Sequence, residues 1–544
     1  MNTAITTRPR REGVRLGVKL VTLASAGALV LAACSGGSPE GGAGSSEPDG
    51  EVVVENFEMN FFSSPNSLDV ARHFDANTMG IMSLFTEPLE RLSGDGSLIP
   101  NLAEEVTQPD DLTIVYTIRE GVQFSNGKEL TAEDVAWTID HVSDAEAGAA
   151  TSSNLSAVAS AEVTGEYEVT VSLHTPDPSA RANLALVALV QDSEFAAENA
   201  AELGQPSAIP VGTGPYVAIS SSAEAVELER NDNYWGDAPV PETITASFLD
   251  ADDTAQRAMQ SGSLNGTLVS NSVALPQYEN IPGASIYSIP ALQTYFIALD
   301  VTAEPFDDVH VRRAVAHAID REGIMHAAFG EGASILPALI PAGTLTPLSS
   351  EAEVDEFFES LELMTFDLDA AAEELAQSQY PDGFEVELAV TSGTWMELAA
   401  LNLQENLTPL GVTVNITSVT RQEWIDRIFS DNTTEMWPMS LGASVPDPRI
   451  LAQLVTEPDG TFNLANWAPE DLQSLATDLT ESADEELRFE AATTILTRIS
   501  EEVPYIPLYQ PEFTIVLADG FALTETPTVI DMASGLWMQN LVAE

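Results

Sequence analysis

The sequence predicts an α/β protein, and three stretches carry that prediction. GFEVELAVTSGTWMELAALNLQENLTPLGVTVNI reads as strand–helix–strand. LTIVYTIREGVQFSNGKELTAEDVAWTIDHV reads as strand, tight turn and capped helix. PFDDVHVRRAVAHAIDREGI carries one apolar helical stripe. Taken in chain order, Val52-Val53-Val54 starts a strand after a polar run. Ile114, Tyr116 and Ile118 then share one face of a strand by period two. Asn126-Gly127 is a tight-turn pair. Thr131 precedes Asp134 by three, a capping-box spacing that opens a helix. Farther on, Val311, Ala314, Val315, Ala318 and Ile319 fall at i, i+3, i+4, i+7 and i+8, with Asp308 placed to cap the helix. Phe384, Val386, Leu388 and Val390 alternate with Glu385, Glu387 and Ala389. A helix from about Trp395 to Leu410 follows and Gly411 stops it. Val412, Val414 and Ile416 form the next strand. A strand–helix–strand unit of about 35 residues implies a parallel pair with a right-handed crossover. Two helices, 469–485 and 486–502, lead to YIPLYQP and a late strand.

Composition sets the limits. The 544 residues hold 85 Asp+Glu against 20 Lys+Arg, a formal net charge of −65. Such a body is repelled from nucleic acid and from an anionic membrane surface. Lysine occurs only at positions 19 and 128, which suggests a salt-tolerant source or strong solubility pressure on the surface. So many carboxylates mostly form a solvated face and specify no ligand. Apolar residues make up 44% and aromatics 7%, an ordinary globular composition. The length suggests roughly two to four domains.

The N-terminus has its own logic. Arg8, Arg10, Arg11, Arg15 and Lys19 precede 14 uncharged residues, Leu20 to Ala33. That run is too short to span a bilayer and suits the apolar part of a signal peptide. Arg10-Arg11 is followed by Glu12 and Gly13, a poor fit to twin-arginine export. Leu31-Ala32-Ala33-Cys34 resembles the lipobox of bacterial lipoproteins, in which the cysteine is lipidated and becomes the mature N-terminus; the alternative is an ordinary secretory peptide. Cys34 is the only cysteine, so no internal disulfide forms. Residues 35–50, rich in Gly, Ser, Pro and acid, read as a tether of roughly 20–25 Å root-mean-square length. Cleavage before Cys34 removes five basic residues and one acid, leaving 15 against 84 and a net charge of −69.

Four segments in order resemble one family: NLAEEV with LTIVYTIREGVQFSNGKELTAEDVAWTID (101–140), GTGPYV with VELERNDNYWG (212–236), PFDDVHVRRAVAHAIDRE (305–322), and YPDGFEVEL (380–388) with EEVPYIPLY (501–509). Together they resemble the family-5 extracytoplasmic solute-binding lipoproteins of peptide, dipeptide and nickel ABC transporters. The resemblance covers essentially the whole mature chain. It implies a two-lobed periplasmic-binding-protein-like fold of type II with an extra subdomain. Lobe I would take 51–82, 183–296 and 506–544, the extra subdomain 83–182, and lobe II 297–505. The chain would cross near 295–300 and 506–510, natural hinge positions. The implied partners are a small solute, most simply a peptide, and permease subunits with cytoplasmic ATPases. The implied location is the extracytoplasmic face of a bacterial cell membrane, held by the N-terminal lipid. A monomer is expected, without cofactor or metal.

The same resemblance nominates site residues. Peptide-binding relatives carry a pattern like W-x-x-D-x-x-D-P, whose first aspartate pairs with the ligand ammonium. Here that register reads Leu441 to Pro448, with Leu441 at the tryptophan position and Ser444 at the ammonium-binding position. Asp447 either braces the following helix or touches ligand. The carboxylate-anchoring arginine of dipeptide-binding members falls near Glu397, in a stretch (391–411) with no basic residue. A buried, unpaired ammonium or carboxylate costs several kcal/mol. The cleft is therefore expected to favour longer peptides held by backbone hydrogen bonds, or a neutral or polyhydroxylated solute. Trp395, Trp424, Trp437 and Tyr295 either stack on the solute or pack the core, and Phe74 is a candidate from lobe I.

Enzymatic motifs are sparse. The six histidines show no zinc spacing, and His310 and His317 read as solvated or packed on one helix face. No Gly-x-Ser-x-Gly elbow occurs. Gly212-Thr213-Gly214 lacks the third glycine of a dinucleotide loop and reads as a turn. The competing classes are a surface-anchored secreted hydrolase and, within the binding class, a binder of sugars or metal chelates.

Overall fold

A computed structural model describes residues 54–543, apart from 250, 431–434 and 457–461. The sequence expectations for residues 1–53, Cys34 among them, lie outside the described residues.

The strongest local signals produce the elements they predict. Strand Thr113–Ile118 buries Ile114, Tyr116 and Ile118 on one face. Gly127 sits at φ +85° in the Asn126-Gly127 turn and its N–H donates to Phe124 O at 2.8 Å. Thr131 and Asp134 form a reciprocal capping box at the start of helix Ala132–Ser143, which buries Val135, Ile139 and Val142. Strands Glu385–Thr391 and Thr413–Val419 pair in parallel across helix Trp395–Leu407, and Gly411 takes φ +84° after the last turn.

The stretch 305–324, read from the sequence as one helix, holds helix Val309–His317 and the start of a second, Arg321–Phe329. Asp308 caps the first as expected. The break has a local cause: Asp320 takes non-helical angles and its carboxylate accepts Gly323 N, opening a new helix. The late helices run Gln473–Glu481 and Glu485–Glu502, because Asp484 caps the second.

Among the described residues, twelve strands form one continuous ladder. Its central path runs Thr413–Val419, Glu385–Thr391, Met436–Gly442, Gln293–Leu299, Tyr505–Leu517, Gly266–Leu268, Val54–Asn60, Pro241–Ser247, Ala225–Arg230, Tyr216–Ser221. The 13-residue strand Tyr505–Leu517 is shared. Its first half pairs with Gln293–Leu299 and its second half with Ser285–Pro290. A separate four-stranded antiparallel sheet holds Ala103–Asp110, Thr113–Ile118, Glu168–Leu173 and Val158–Gly165.

Two large apolar cores flank the shared strand. One gathers Phe57, Tyr216, Ile244, Ile289, Ile515 and Leu517, and extends to Ile114, Tyr116 and Val171 of the four-stranded sheet. The other gathers Phe296, Val315, Leu388, Leu403, Trp437 and Leu508. Core membership changes between Ile289 and Phe296 and again between Tyr509 and Ile515. The Gly212-Thr213-Gly214 stretch is fixed by close approach: a Cβ on Gly212 would lie 2.1 Å from Phe85 O, and Thr213 Oγ1 donates to the buried Glu87 carboxylate.

Candidate functional site

Two cavities open where the chain passes from one core to the other. The first, ≈ 240 Å³, is floored by Ala291, Leu292 and Gln293. Its walls are largely apolar. Phe74, Ala76 and Met79 come from the start of helix Ala76–Met82, and Val529, Ile530 and Ala533 from helix Val529–Ala533. These two helices pack against each other. Phe513 of the shared strand joins them. Asp75 caps the first helix: its carboxylate accepts Thr78 N at 2.8 Å and Thr78 Oγ1 at 3.2 Å, and His73 Nε2 lies 2.5 Å away.

The second cavity, ≈ 310 Å³, is polar. Ser153, Asn154, Ser156 and Asn183 line one side, and Ser444, Asp447, Arg449 and Gln453 the other. Gly442-Ala443-Ser444 belongs to both cavities and forms the wall between them. The wall is tied to the crossing by Ala443 N donating to Leu292 O at 2.8 Å. Beyond it, Val445 packs into the first core, although the strand before it, Met436–Gly442, pairs with Gln293–Leu299 of the second.

Charges at the polar cavity are paired internally. Arg449 Nη1 lies 2.7 and 2.8 Å from the two Asp177 oxygens and 2.5 Å from Ser179 Oγ. Asp177 is almost fully covered, at 4% exposure. Asp447 is buried. It accepts Arg449 N at 2.8 Å and Arg488 Nη2 at 2.6 Å, and Arg488 also donates to Leu479 O. Of the two roles open to Asp447, these hydrogen bonds supply the brace: each carboxylate oxygen accepts one donor from the protein, while the residue also lines the cavity.

The structure brings Phe74, Ser444 and Asp447 to this region and leaves the other nominated residues away from both cavities. Trp437 is fully buried in the second core. Trp424 is buried there too, and neither indole N–H has a partner among the described residues. Trp395 stacks on Tyr295 at 5.1 Å and 14°, and Tyr295 stacks in turn on Phe329. Burial pushes the Tyr295 phenol up. Trp395, Trp424 and Trp437 belong to the second core, and the half-buried Tyr295 packs against it. Glu397 accepts Gly393 N at 2.7 Å and so braces the start of its own helix. His310 and His317 take different partners, Glu374 and Thr365 O.

Sequence reading missed Arg449, Asn154, Met79 and the 529–533 helix. A signal for the last was present: Thr528 and Asp531 have the capping-box spacing recognised at Thr131, and the structure forms that box. No comparable cue marked Asn154, whose partner wall is some 290 residues away in sequence.

Among the described residues no helix is long and apolar enough to cross a membrane, and no group of three or more His, Cys, Asp or Glu is placed to hold a metal.

Comparisons with known proteins agree on one family. The profile described as bacterial extracellular solute-binding proteins, family 5 middle, matches residues 97–463. The oligopeptide-binding protein OppA of Bacillus subtilis is 24% identical over 521 residues, covering 90% of this chain and 93% of its own. Heme-binding protein A of Haemophilus influenzae is 25% identical over 398 residues, covering 68% and 70%. The solved structure of HbpA2 from Haemophilus parasuis superposes with a TM-score of 0.77 at 20% identity, over 90% of this chain and 100% of that one. The fold is thus the two-lobed α/β architecture of periplasmic binding proteins. The chain belongs to the bacterial extracellular solute-binding proteins of family 5, and solute capture for ABC import is its work.

Proposed function

We propose that the solute is a peptide or a related small molecule, held where the two cores meet and released to a permease driven by cytoplasmic ATPases. The observation that carries this reading is the position of the cavities. The floor of the apolar cavity, Ala291 to Gln293, is one of the two places where the chain changes core, Phe513 of the same cavity lies at the other, and the Gly442–Ser444 wall shared with the polar cavity is tied to that floor. A solute there touches both lobes at the point about which they turn.

Binding and closure are then one equilibrium. A ligand shifts it only by its differential affinity for the closed state. The lobes are 51–82 with 183–296 and 506–544, and 297–505, with 83–182 as the subdomain attached to the first. The hinge strands are Ser285–Pro290 with Gln293–Leu299, and Tyr505–Leu517. No bond-making chemistry is part of this role. Cys34, lipidated, moors the body to the outer face of the cell membrane, and the 35–50 tether carries an acidic protein beyond the roughly 8–10 Å Debye length of an anionic surface. The peptide reading is supported by the oligopeptide-binding relative, which aligns over nearly its whole length.

Native mass spectrometry of the undenatured protein tests the reading. A non-covalent adduct of small mass is expected, together with a fall in radius of gyration when a tri- to pentapeptide library is added. A protein that is always empty and whose dimensions no library member changes rules the reading out.

A further inference from the structure

The two cavities differ in chemistry, and the difference defines a solute. The apolar one offers Met79, Leu186, Phe513 and Ile530, with Asp75 as its one charged residue. The polar one has two charged residues, Asp447 and Arg449. All three charges are already engaged. Asp75 is held by Thr78 and His73, Asp447 by Arg488 and the Arg449 N–H, and Arg449 by Asp177 and Ser179. An ammonium or carboxylate entering either cavity gives up water and meets no free counter-charge. Each such desolvation costs several kcal/mol.

Neutral groups are in the opposite condition. Among the described residues the side chains of Ser153, Asn154, Ser156, Ser444 and Gln453 make no hydrogen bond to the protein. Hydroxyls and amides donate and accept at once, so they match an amide or a hydroxyl and discriminate little by charge. The dividing wall, Gly442 to Ser444, faces both cavities, so one molecule lying across it reaches both. The two volumes together fall within the ~300–1,000 Å³ of small-molecule sites.

We propose that the site takes an uncharged amphipathic solute, its apolar portion beside Met79 and Phe513 and its amide- or hydroxyl-bearing portion against Asn154, Ser444 and Gln453. This rests on the reading of the cavities as the capture site. It narrows the solute to molecules without terminal charges in the site: internal peptide segments, end-blocked peptides or alkylated sugars.

Calorimetric titration of the full chain distinguishes the sources. The probes are tripeptides with one leucine, each as the zwitterion and as the N-acetylated, C-amidated form, and an octyl glucoside. The blocked peptides are expected to bind at least about tenfold more tightly than the matching zwitterions. Binding of the glucoside alone assigns the polar portion to hydroxyls and supports the same class. Ser444→Asp, at an exposed wall position, is expected to reverse the preference toward the zwitterions. Zwitterions that bind the unmodified protein as tightly as blocked forms overturn the proposal, as does a Ser444→Asp variant with an unchanged ratio. If none of the probes binds, the copurifying molecule decides: an uncharged one supports the proposal and a charged one overturns it. A protein that binds none of them and carries nothing overturns the capture reading itself, together with the proposal built on it.

Discussion

Asp447 shows what a single residue can and cannot disclose. Its place before Pro448 was legible, and so were the two roles open to it. The deciding partner, Arg488, lies 41 residues away on helix Glu485–Glu502, and no periodicity links the two. The same holds for the tryptophans. Their positions near the cleft in sequence did not reveal that Tyr295 and Trp395 cover one another. Asp447 and Arg488 are both nearly buried, at 9% and 6% side-chain exposure. Arg488→Met therefore leaves a buried carboxylate with only a backbone N–H, and is expected to lower the unfolding free energy by about 3–5 kcal/mol. Urea titration measures it. An unchanged midpoint with weakened ligand binding would reassign the pair to the solute.

At the scale of elements, strand and helix periodicity located the strand–helix–strand unit and the Thr131 cap, because those features are set by neighbours in sequence. The ladder that joins Tyr505–Leu517 to strands more than 200 residues earlier is set by tertiary packing, and its pairing was not legible. The segment 443–449 is the most consequential of the missed contacts. It leaves the second core, places Val445 in the first, and ends at Arg449 on Asp177. In the proposed lobe assignment this pair spans the cleft and favours closure. Arg449 is 29% exposed, so its worth is below that of a fully buried pair. Arg449→Ala is expected to increase the ligand-free radius of gyration in small-angle scattering and to weaken solute binding about tenfold. A variant with unchanged dimensions and affinity would show that the bridge is indifferent to closure.

The whole molecule is governed by its acidity. Basic residues are few enough that several are fully committed. Lys128, the only lysine among the described residues, reaches Asp134 at 3.0 Å and Asp192 at 2.8 Å. Burial raises the Asp134 and Asp192 carboxyls, but hydrogen bonds, from Ser193 and Thr131 to Asp134 and from Lys128 and Asn126 to Asp192, bring both below the ordinary carboxylate range. The other acids mostly repel one another. Screening shortens that repulsion from about 30 Å at 0.01 M salt to about 3 Å at 1 M. The melting temperature is expected to rise by about 5 °C or more across that range. Differential scanning calorimetry checks it, and a flat profile would mean that the surface charges are already locally balanced.

One strand makes the two halves interdependent in time as well as in space. Tyr505–Leu517 completes the β-ladder of both cores, and every strand it pairs with precedes it in the chain. Whatever emerges first from a ribosome or a translocation channel lacks this stave, so neither half of the ladder is complete until it arrives. A chain exported before it folds gains from a ladder whose central stave follows all of its partners.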